Sequence, residues 1–391
     1  MSPRRVFPRS AVLAFLLAGC QSQSDPNQPP LDFAAVQPAA SGGSVISGGE
    51  NHSCAIRADA TVACWGRNND GQLGDGTISN RASPVQVVGL TNVVAVSAGR
   101  FHSCAALTDG TARCWGSNSS GQLGNGGGAG SRTPVTVSGL SGAVAISVGA
   151  YHSCALLSSG AARCWGFNPY GMLGNGTTVN SSVPVAVNGL SGAARLNVGW
   201  FHSCAVLTDG TVRCWGRGTS GELGNGGTAN HTTPVAVTGL GGVVDIDGGG
   251  NHTCARRTNG FVRCWGNNQS GQLGNGSTST SLIPVAVTGL TGVVAITTGG
   301  GHSCAVLSSG AARCWGSGTL GQLGNGALMS KTTPVAVSGI TTGSRIDGGG
   351  NHTCTTLANG TARCWGYGTS GQLGNGTSTS RSTPVQVVNF P

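Results

Sequence analysis

The chain has 391 residues, of which 8% are charged and 5% aromatic, with 70 glycines and a formal charge of +9. Glycine at this level excludes a fold of long helices, because each helical glycine costs about 1 kcal/mol relative to alanine. It suits tight turns that need positive φ. Without Arg4, Arg5 and Arg9, 18 basic side chains stand against 12 acidic ones, and six of the 18 are one repeated arginine. That balance gives little support to nucleic-acid binding, and none is expected.

In chain order, Arg4, Arg5 and Arg9 precede a short apolar run, Ala11 to Ala18. The run is too short to cross a bilayer and reads as a cleavable signal over residues 1–19. It ends in Leu17-Ala18-Gly19-Cys20, which resembles the lipobox of bacterial lipoproteins. The resemblance implies cleavage before Cys20, lipidation of Cys20 and a membrane-held N-terminus. Gln21 in place of Asp implies sorting to the outer membrane, so the expected location is extracytoplasmic and lipid-anchored. Arg4-Arg5-Val6-Phe7 also resembles a twin-arginine export signal, but Pro8 breaks the apolar start and favours general secretion. Residues 20–43 are polar and rich in Pro and Gln, as in a flexible tether reaching about 25–30 Å. The lipid is the one expected contact with a membrane.

From residue 44 to residue 391 the chain repeats. His52, His102, His152, His202, His252, His302 and His352 recur every 50 residues. In the second copy, Gly99-Arg100-Phe101-His102-Ser103-Cys104 leads through Asp109-Gly110 to Arg113-Cys114-Trp115-Gly116. Gly121-Gln122-Leu123-Gly124-Asn125-Gly126 and Pro134-Val135-Thr136-Val137 follow. Each unit holds four short β-like runs, such as Val135–Val137, Val144–Ser147, His152–Leu157 and Ala161–Gly166, separated by Gly, Asn, Ser and Asp. Four strands per 40–50 residues predict a propeller blade, hence an all-β, seven-bladed β-propeller of four-stranded antiparallel blades. Helical solenoids would need 3.6-residue apolar stripes, which are absent, and a parallel β-helix has a shorter repeat. The first unit opens only at Ser44–Ser47, whereas Pro384-Val385-Gln386-Val387 repeats the strand that opens later units. The expectation is that the C-terminal strand completes the first blade and closes the ring.

The pattern Gly-x-x-His-x-Cys-Ala, Cys-Trp-Gly and Gly-Gln-Leu-Gly-Asn-Gly resembles the regulator of chromosome condensation repeat over residues 44–390. The resemblance implies a seven-bladed propeller. It implies no single activity, since the family includes a Ran GTPase exchange factor, ubiquitin-ligase domains and secreted bacterial inhibitors of enzymes such as β-lactamases.

Fifteen cysteines resolve into Cys20 and seven pairs ten apart: Cys54 and Cys64, Cys104 and Cys114, Cys154 and Cys164, Cys204 and Cys214, Cys254 and Cys264, Cys304 and Cys314, Cys354 and Cys364. Lipid plus seven disulfides fits an oxidising compartment. A three-residue loop Thr108-Asp109-Gly110 would set Cys104 directly opposite Cys114, within disulfide range. Ala60 replaces that glycine in the first unit, where the hairpin is expected to deviate. The rival is a zinc site from His102, Cys104 and Cys114. Seven identical zinc sites would be unusual in such a compartment, so no metal and no cofactor are expected.

An enzyme needs one asymmetric set of groups. His102, Ser103 and Asp109 match a triad in composition only, because adjacent strand residues face opposite ways. Asp245 and Asp247 lack the acidic count of a calcium loop and read as solvent-facing strand residues. His231 stands outside the repeat position and reads as a loop residue. The positions where the repeats disagree are richer: Arg100, Phe101, Tyr151, Trp200 and Phe201 before the histidines, and Phe167 and Tyr170 after Trp-Gly. Aromatic residues and arginine anchor binding hot spots. These seven are expected to form a partner-binding face near one mouth of the propeller. The expected function is therefore a non-catalytic scaffold, monomeric, that recognises a protein or cell-envelope component. A lyase-like propeller enzyme and a guanine-nucleotide exchange factor are the alternatives.

Overall fold

The computed structural model describes Met1 and residues 46–390. The signal segment, Cys20 and the tether lie outside the described residues. Among the described residues there are seven four-stranded antiparallel sheets arranged as the blades of a ring, and no helix.

The first blade is a meander of β1 (Ile46–Gly48), β2 (His52–Ile56), β3 (Val62–Gly66) and β4 (Arg81–Gln86), and the second repeats it as β5 (Val93–Ala98), β6 (His102–Leu107), β7 (Ala112–Gly116) and β8 (Ser131–Thr136). The two middle strands are almost wholly buried, while the fourth strand is half-exposed. This is why Ala, Cys and Trp fill the middle and Ser, Thr and Pro the rim. Proline is tolerated there because an edge strand has N–H groups without ladder partners.

The expected strand exchange does not occur. The Pro-Val-x-Val run ends its own blade: β8 pairs with β7 through Cys114 and Val135. Likewise the last strand, Arg381–Gln386, pairs with Ala362–Gly366 in the seventh blade. The first blade is already complete, since β4 supplies its rim and the three-residue β1 its inner strand. The C-terminal segment still closes the ring, by packing. The Trp65 indole donates to the Gln372 carbonyl at 2.9 Å, Gly376 N–H donates to the Ala82 carbonyl at 2.9 Å, and Phe390 meets the Trp65 ring edge-on at 6.3 Å. The first two contacts repeat those between the first two blades, where Trp115 donates to the Gln72 carbonyl at 2.8 Å and Gly76 to that of Arg132 at 3.0 Å.

The Gly-Gln-Leu-Gly element is thus the clasp between neighbouring blades. Its second glycine is obligatory twice over. Gly124 has φ +69°, and a Cβ there would lie 2.6 Å from the Trp165 indole nitrogen. Each tryptophan is buried against the preceding blade: Trp115 packs with Ile56, Val62, Leu73 and Val87.

The cysteine hairpins form as expected. Leu107 N–H donates to the Thr111 carbonyl, Gly110 takes φ +76°, and Cys104 faces Cys114. Their sulfurs are bonded, as in all seven pairs. The first hairpin does not deviate. Ala60 takes φ +58° and keeps the same hydrogen bonds, Arg57 N–H to Thr61 and Ala60 N–H to Arg57. The bridge and its ladder outweigh the roughly 1 kcal/mol that an alanine spends in that conformation.

Candidate partner-binding face and channel

The repeated polar residues form a closed belt. Each histidine is buried, and its Nε2 meets the hydroxyl of Ser or Thr 51 residues on: His52 meets Ser103, His102 meets Ser153, and so on round to His352 with Ser53, at 2.8–3.0 Å. Each hydroxyl donates its single proton to the carbonyl that the neighbouring tryptophan also uses; Ser103, for example, donates to Gln72 at 3.0 Å. The network therefore assigns a proton to Nε2, and burial keeps every ring neutral. Burial, first among the causes, holds the histidine pKa values down to about 3, and that of His302 to about 4. No triad exists in this arrangement. His102 reaches Ser153 and not Ser103, while Asp109 lies in an exposed turn bound to Thr111. The disulfides occupy the sulfurs that the zinc reading needed, and no group of three metal-ligating side chains occurs among the described residues.

The inner strands carry a second ring, which the sequence reading missed. Ser47, Ser97, Ser147, Asn197, Asp247, Thr297 and Asp347 share one repeat position, and all but Thr297 line a cavity of about 90 Å³ at the channel mouth. The first six accept a backbone N–H from the next blade, as Ser47 does from Ala98 at 3.1 Å and Asp247 from Thr298 at 2.6 Å. Asp247 is therefore not a solvent-facing strand residue. It also takes hydrogen bonds from Asn197 and from the Thr297 hydroxyl. Thr297 lies between two carboxylates, 3.0 Å from Asp247 and 3.3 Å from Asp347, and has one proton for both. Burial raises the Asp247 pKa to about 6, and burial followed by the charge of Asp247 raises that of Asp347. Asp245 is half-buried beside Arg256, 3.8 Å from its Nε, and desolvation raises its pKa. His231 heads a rim strand, not a loop, 3.1 Å from Asn225.

All seven residues of the expected face come together. Phe101 lies 5.4 Å from Tyr151, which lies 5.7 Å from Phe167 and 6.3 Å from Phe201. Tyr170 meets Phe167 and Phe201 edge-on at 6.5 and 6.0 Å. The Arg100 guanidinium sits over Phe101, Tyr151 and Trp200 at 5.0–5.9 Å, and is fixed by Glu50 at 2.8 Å. Trp200 and Arg100 also line the channel cavity. Every member is half-buried, so each packs on its neighbours and still presents surface. Two cations escaped the sequence reading: Arg67 over Phe101 at 5.4 Å and Arg217 over Phe201 at 4.8 Å. Both directly follow Trp-Gly, the position of Phe167 in the third copy, and so were readable in principle. Carboxylates orient them, Asp70 for Arg67 and Glu222 for Arg217.

Three comparisons bear on this geometry. The RCC1-like domain family matches residues 143–390, and the Regulator of chromosome condensation (RCC1) repeat matches residues 59–106 and 109–156. The ultraviolet-B receptor UVR8 of Arabidopsis thaliana is 46% identical over 46 residues, which are 12% of this chain and only 10% of that protein. Among solved structures, Prp20p from Saccharomyces cerevisiae is similar at 23% identity and a TM-score of 0.74, over 84% of this chain and 85% of that one. Human WBSCR16 is similar at 25% identity and a TM-score of 0.72, over 80% and 86%. With seven disulfide-bonded copies of the repeat closing one ring, the chain belongs to the regulator of chromosome condensation (RCC1)-like family of β-propellers.

Proposed function

We propose that the chain is a non-catalytic binding scaffold that captures a protein or cell-envelope partner on the aromatic face at the Trp200 mouth. In this reading the lipid on Cys20 holds it at a bacterial membrane, the outer one. One observation carries the recognition role. Six aromatic side chains and three oriented arginines form a single continuous, half-exposed surface, built wholly from positions where the repeats differ. Half-exposed aromatics and arginines are the composition of binding hot spots, and their mutual packing lowers the entropy lost on binding. On the same fold, Prp20p is described by its binding to Gsp1p and histones. Sequence alone supports the anchor, through Leu17-Ala18-Gly19-Cys20.

The test is cross-linking of the intact chain to envelope extract, followed by peptide mass spectrometry. Cross-links should map to the aromatic face, and the combined Phe101→Ala, Tyr151→Ala and Trp200→Ala variant should lose at least about tenfold in capture while keeping its Tm. Capture at the unmodified level would overturn the assignment. Cys20→Ser should release the chain from the membrane fraction, and continued retention there would overturn the anchor.

A further inference from the structure

We propose that the turn end of the ring is a docking surface for an anionic lipid bilayer, with Phe261 as its apolar tip. In each blade a hairpin joins the second and third strands, and it is bonded to the start of the next inner strand. Val93 N–H donates to the Ala60 carbonyl, Ala143 to Gly110, Val293 to Gly260 and Gly343 to Gly310, at 2.8–3.2 Å. These bonds gather the hairpins at one end of the ring. The inner strands run from there to the aromatic mouth, as β5 does from Val93 to Ala98, about 17 Å away. β1 starts at Ile46 and runs the same way, so the strand begins on the turn side.

The two ends differ in charge. The hairpin segments, residues 56–63 and their six repeats, carry nine arginines against three aspartates, a balance of +6. Asp245, 3.8 Å from Arg256, lowers it to +5. Six of the nine are the repeated arginine, Arg113 through Arg363, and Arg57, Arg256 and Arg257 complete the crown. Neutral groups hold several of them. Arg57 donates to Gln86 at 2.7 Å, Arg257 to the Gly241 carbonyl at 2.9 Å and Arg113 to the Ala112 carbonyl at 3.3 Å. The aspartates Asp59, Asp109 and Asp209 take the hydroxyl protons of Thr61, Thr111 and Thr211 at 2.7 Å. At the aromatic mouth, by contrast, Arg67, Arg100 and Arg217 each have a carboxylate of their own. The mouth arginines are cancelled in place, and the crown keeps its charge.

One hairpin adds an apolar tip. Where the other copies have Thr or Ala, the fifth has Phe261, which is 48% exposed. Arg257 donates its N–H to the Phe261 carbonyl to close the turn, and Arg263 follows two residues later. Val294, 46% exposed, comes directly after the Val293 that is bonded to this turn. An apolar tip framed by arginines matches the bilayer interface: the ring enters the headgroup boundary and the guanidinium groups stay with the lipid phosphates. A soluble polyanion such as heparin has no apolar layer for Phe261. The surface stands on the described residues alone. On the anchoring reading above, the Cys20 lipid and the crown meet the same membrane, and the aromatic face is turned away from it.

The experiment is flotation of the intact chain carrying Cys20→Ser, which takes no lipid, at about 0.15 M salt. The vesicles are phosphatidylcholine alone or mixed equally with phosphatidylglycerol. Binding to the mixed vesicles is expected, and binding to phosphatidylcholine alone should be at least about tenfold weaker. Arg257→Gln combined with Arg263→Gln should weaken it about tenfold or more, since each arginine near an anionic surface contributes about fivefold. Phe261→Ala should weaken it about fivefold while keeping the Tm. The Phe101→Ala, Tyr151→Ala and Trp200→Ala variant should bind vesicles normally, which separates this surface from the aromatic face. A wash at about 1 M salt, where charges are screened beyond about 3 Å, should strip this contact and leave a lipid anchor in place. The two membrane contacts are therefore read separately. Equal binding to both vesicle types, or undiminished binding by the double arginine variant, would overturn the docking surface. A Phe261→Ala variant that binds as the parent does would assign the arginines to a soluble polyanion, which heparin binding checks, and overturn the bilayer.

Discussion

His102 and Phe101 are neighbours in the chain, and they behave in opposite ways across the repeats. At the histidine position nothing changes in seven copies; at the position before it the chain has Asn, Phe, Tyr, Phe, Asn, Gly and Asn. The difference follows from their partners. Each histidine is buried and hydrogen-bonded to a hydroxyl of the next blade, so altering one copy breaks a junction that all seven share. Phe101 touches Tyr151, Arg100 and Arg67 and faces outward, so its identity is free to serve recognition. In this molecule the residue types usually associated with catalysis are scaffolding. The candidate site lies where repetition fails.

That contrast can be broken most strongly with acid. In the folded chain the belt histidines titrate near 3 instead of 6.5, so the unfolded chain binds protons that the folded one refuses between those values. Their contribution is complete above about pH 6.5 and is lost as pH falls, by up to about 1.4 kcal/mol per pH unit for each histidine. Asp247 acts oppositely: its raised pKa of about 6 makes the folded carboxyl take a proton first, which favours folding as pH falls below 6. Asp347 has the same sign. Asp245 shares it, and three acids opposing seven histidines leave a net loss. A Tm series from pH 8 to pH 4 should be flat at first and then drop steeply below pH 6.5; a flat series throughout would remove the neutral belt from the account.

The contrast sharpens with a pair of truncations. Trp115→Ala removes a fully buried indole together with its hydrogen bond to Gln72, at a cost of about 3–5 kcal/mol. Phe101→Ala, on the half-exposed face, should cost under about 1 kcal/mol. Denaturant unfolding of both variants checks the ratio, and equal losses would mean that the face is core. A small effect of opposite sign is expected where the turn's residue type departs from the repeat. Ala60→Gly relieves a positive φ and should stabilise the chain by about 1 kcal/mol, whereas a decrease would show that the first hairpin is built differently.

Much of this was legible in advance. Blade count, strand content, the pairing of Cys104 with Cys114 and the seven residues of the aromatic face all came from spacing and residue type. What went wrong was phase. A sequence that repeats every 50 residues reports the length of its unit but not where the unit begins, because every starting point gives the same period. Only the pairing of β8 with β7, and of Arg381–Gln386 with Ala362–Gly366, places the boundary. Asp347 was missed for a related reason: its neighbour Asp247 is 100 residues away and meets it only through Thr297 across two blade junctions.

The line between the two kinds of knowledge is one of distance along the chain. Residues ten apart on one hairpin meet whatever the rest of the protein does, because turn geometry alone sets their register. Turn chemistry and strand patterning therefore determined the blades and their disulfides from sequence. The neutral belt, the shared proton at Thr297 and the packed closure at Trp65 depend on groups 50 to 307 residues apart. Burial and proximity create those properties, and both exist only once the seven blades have closed on one another.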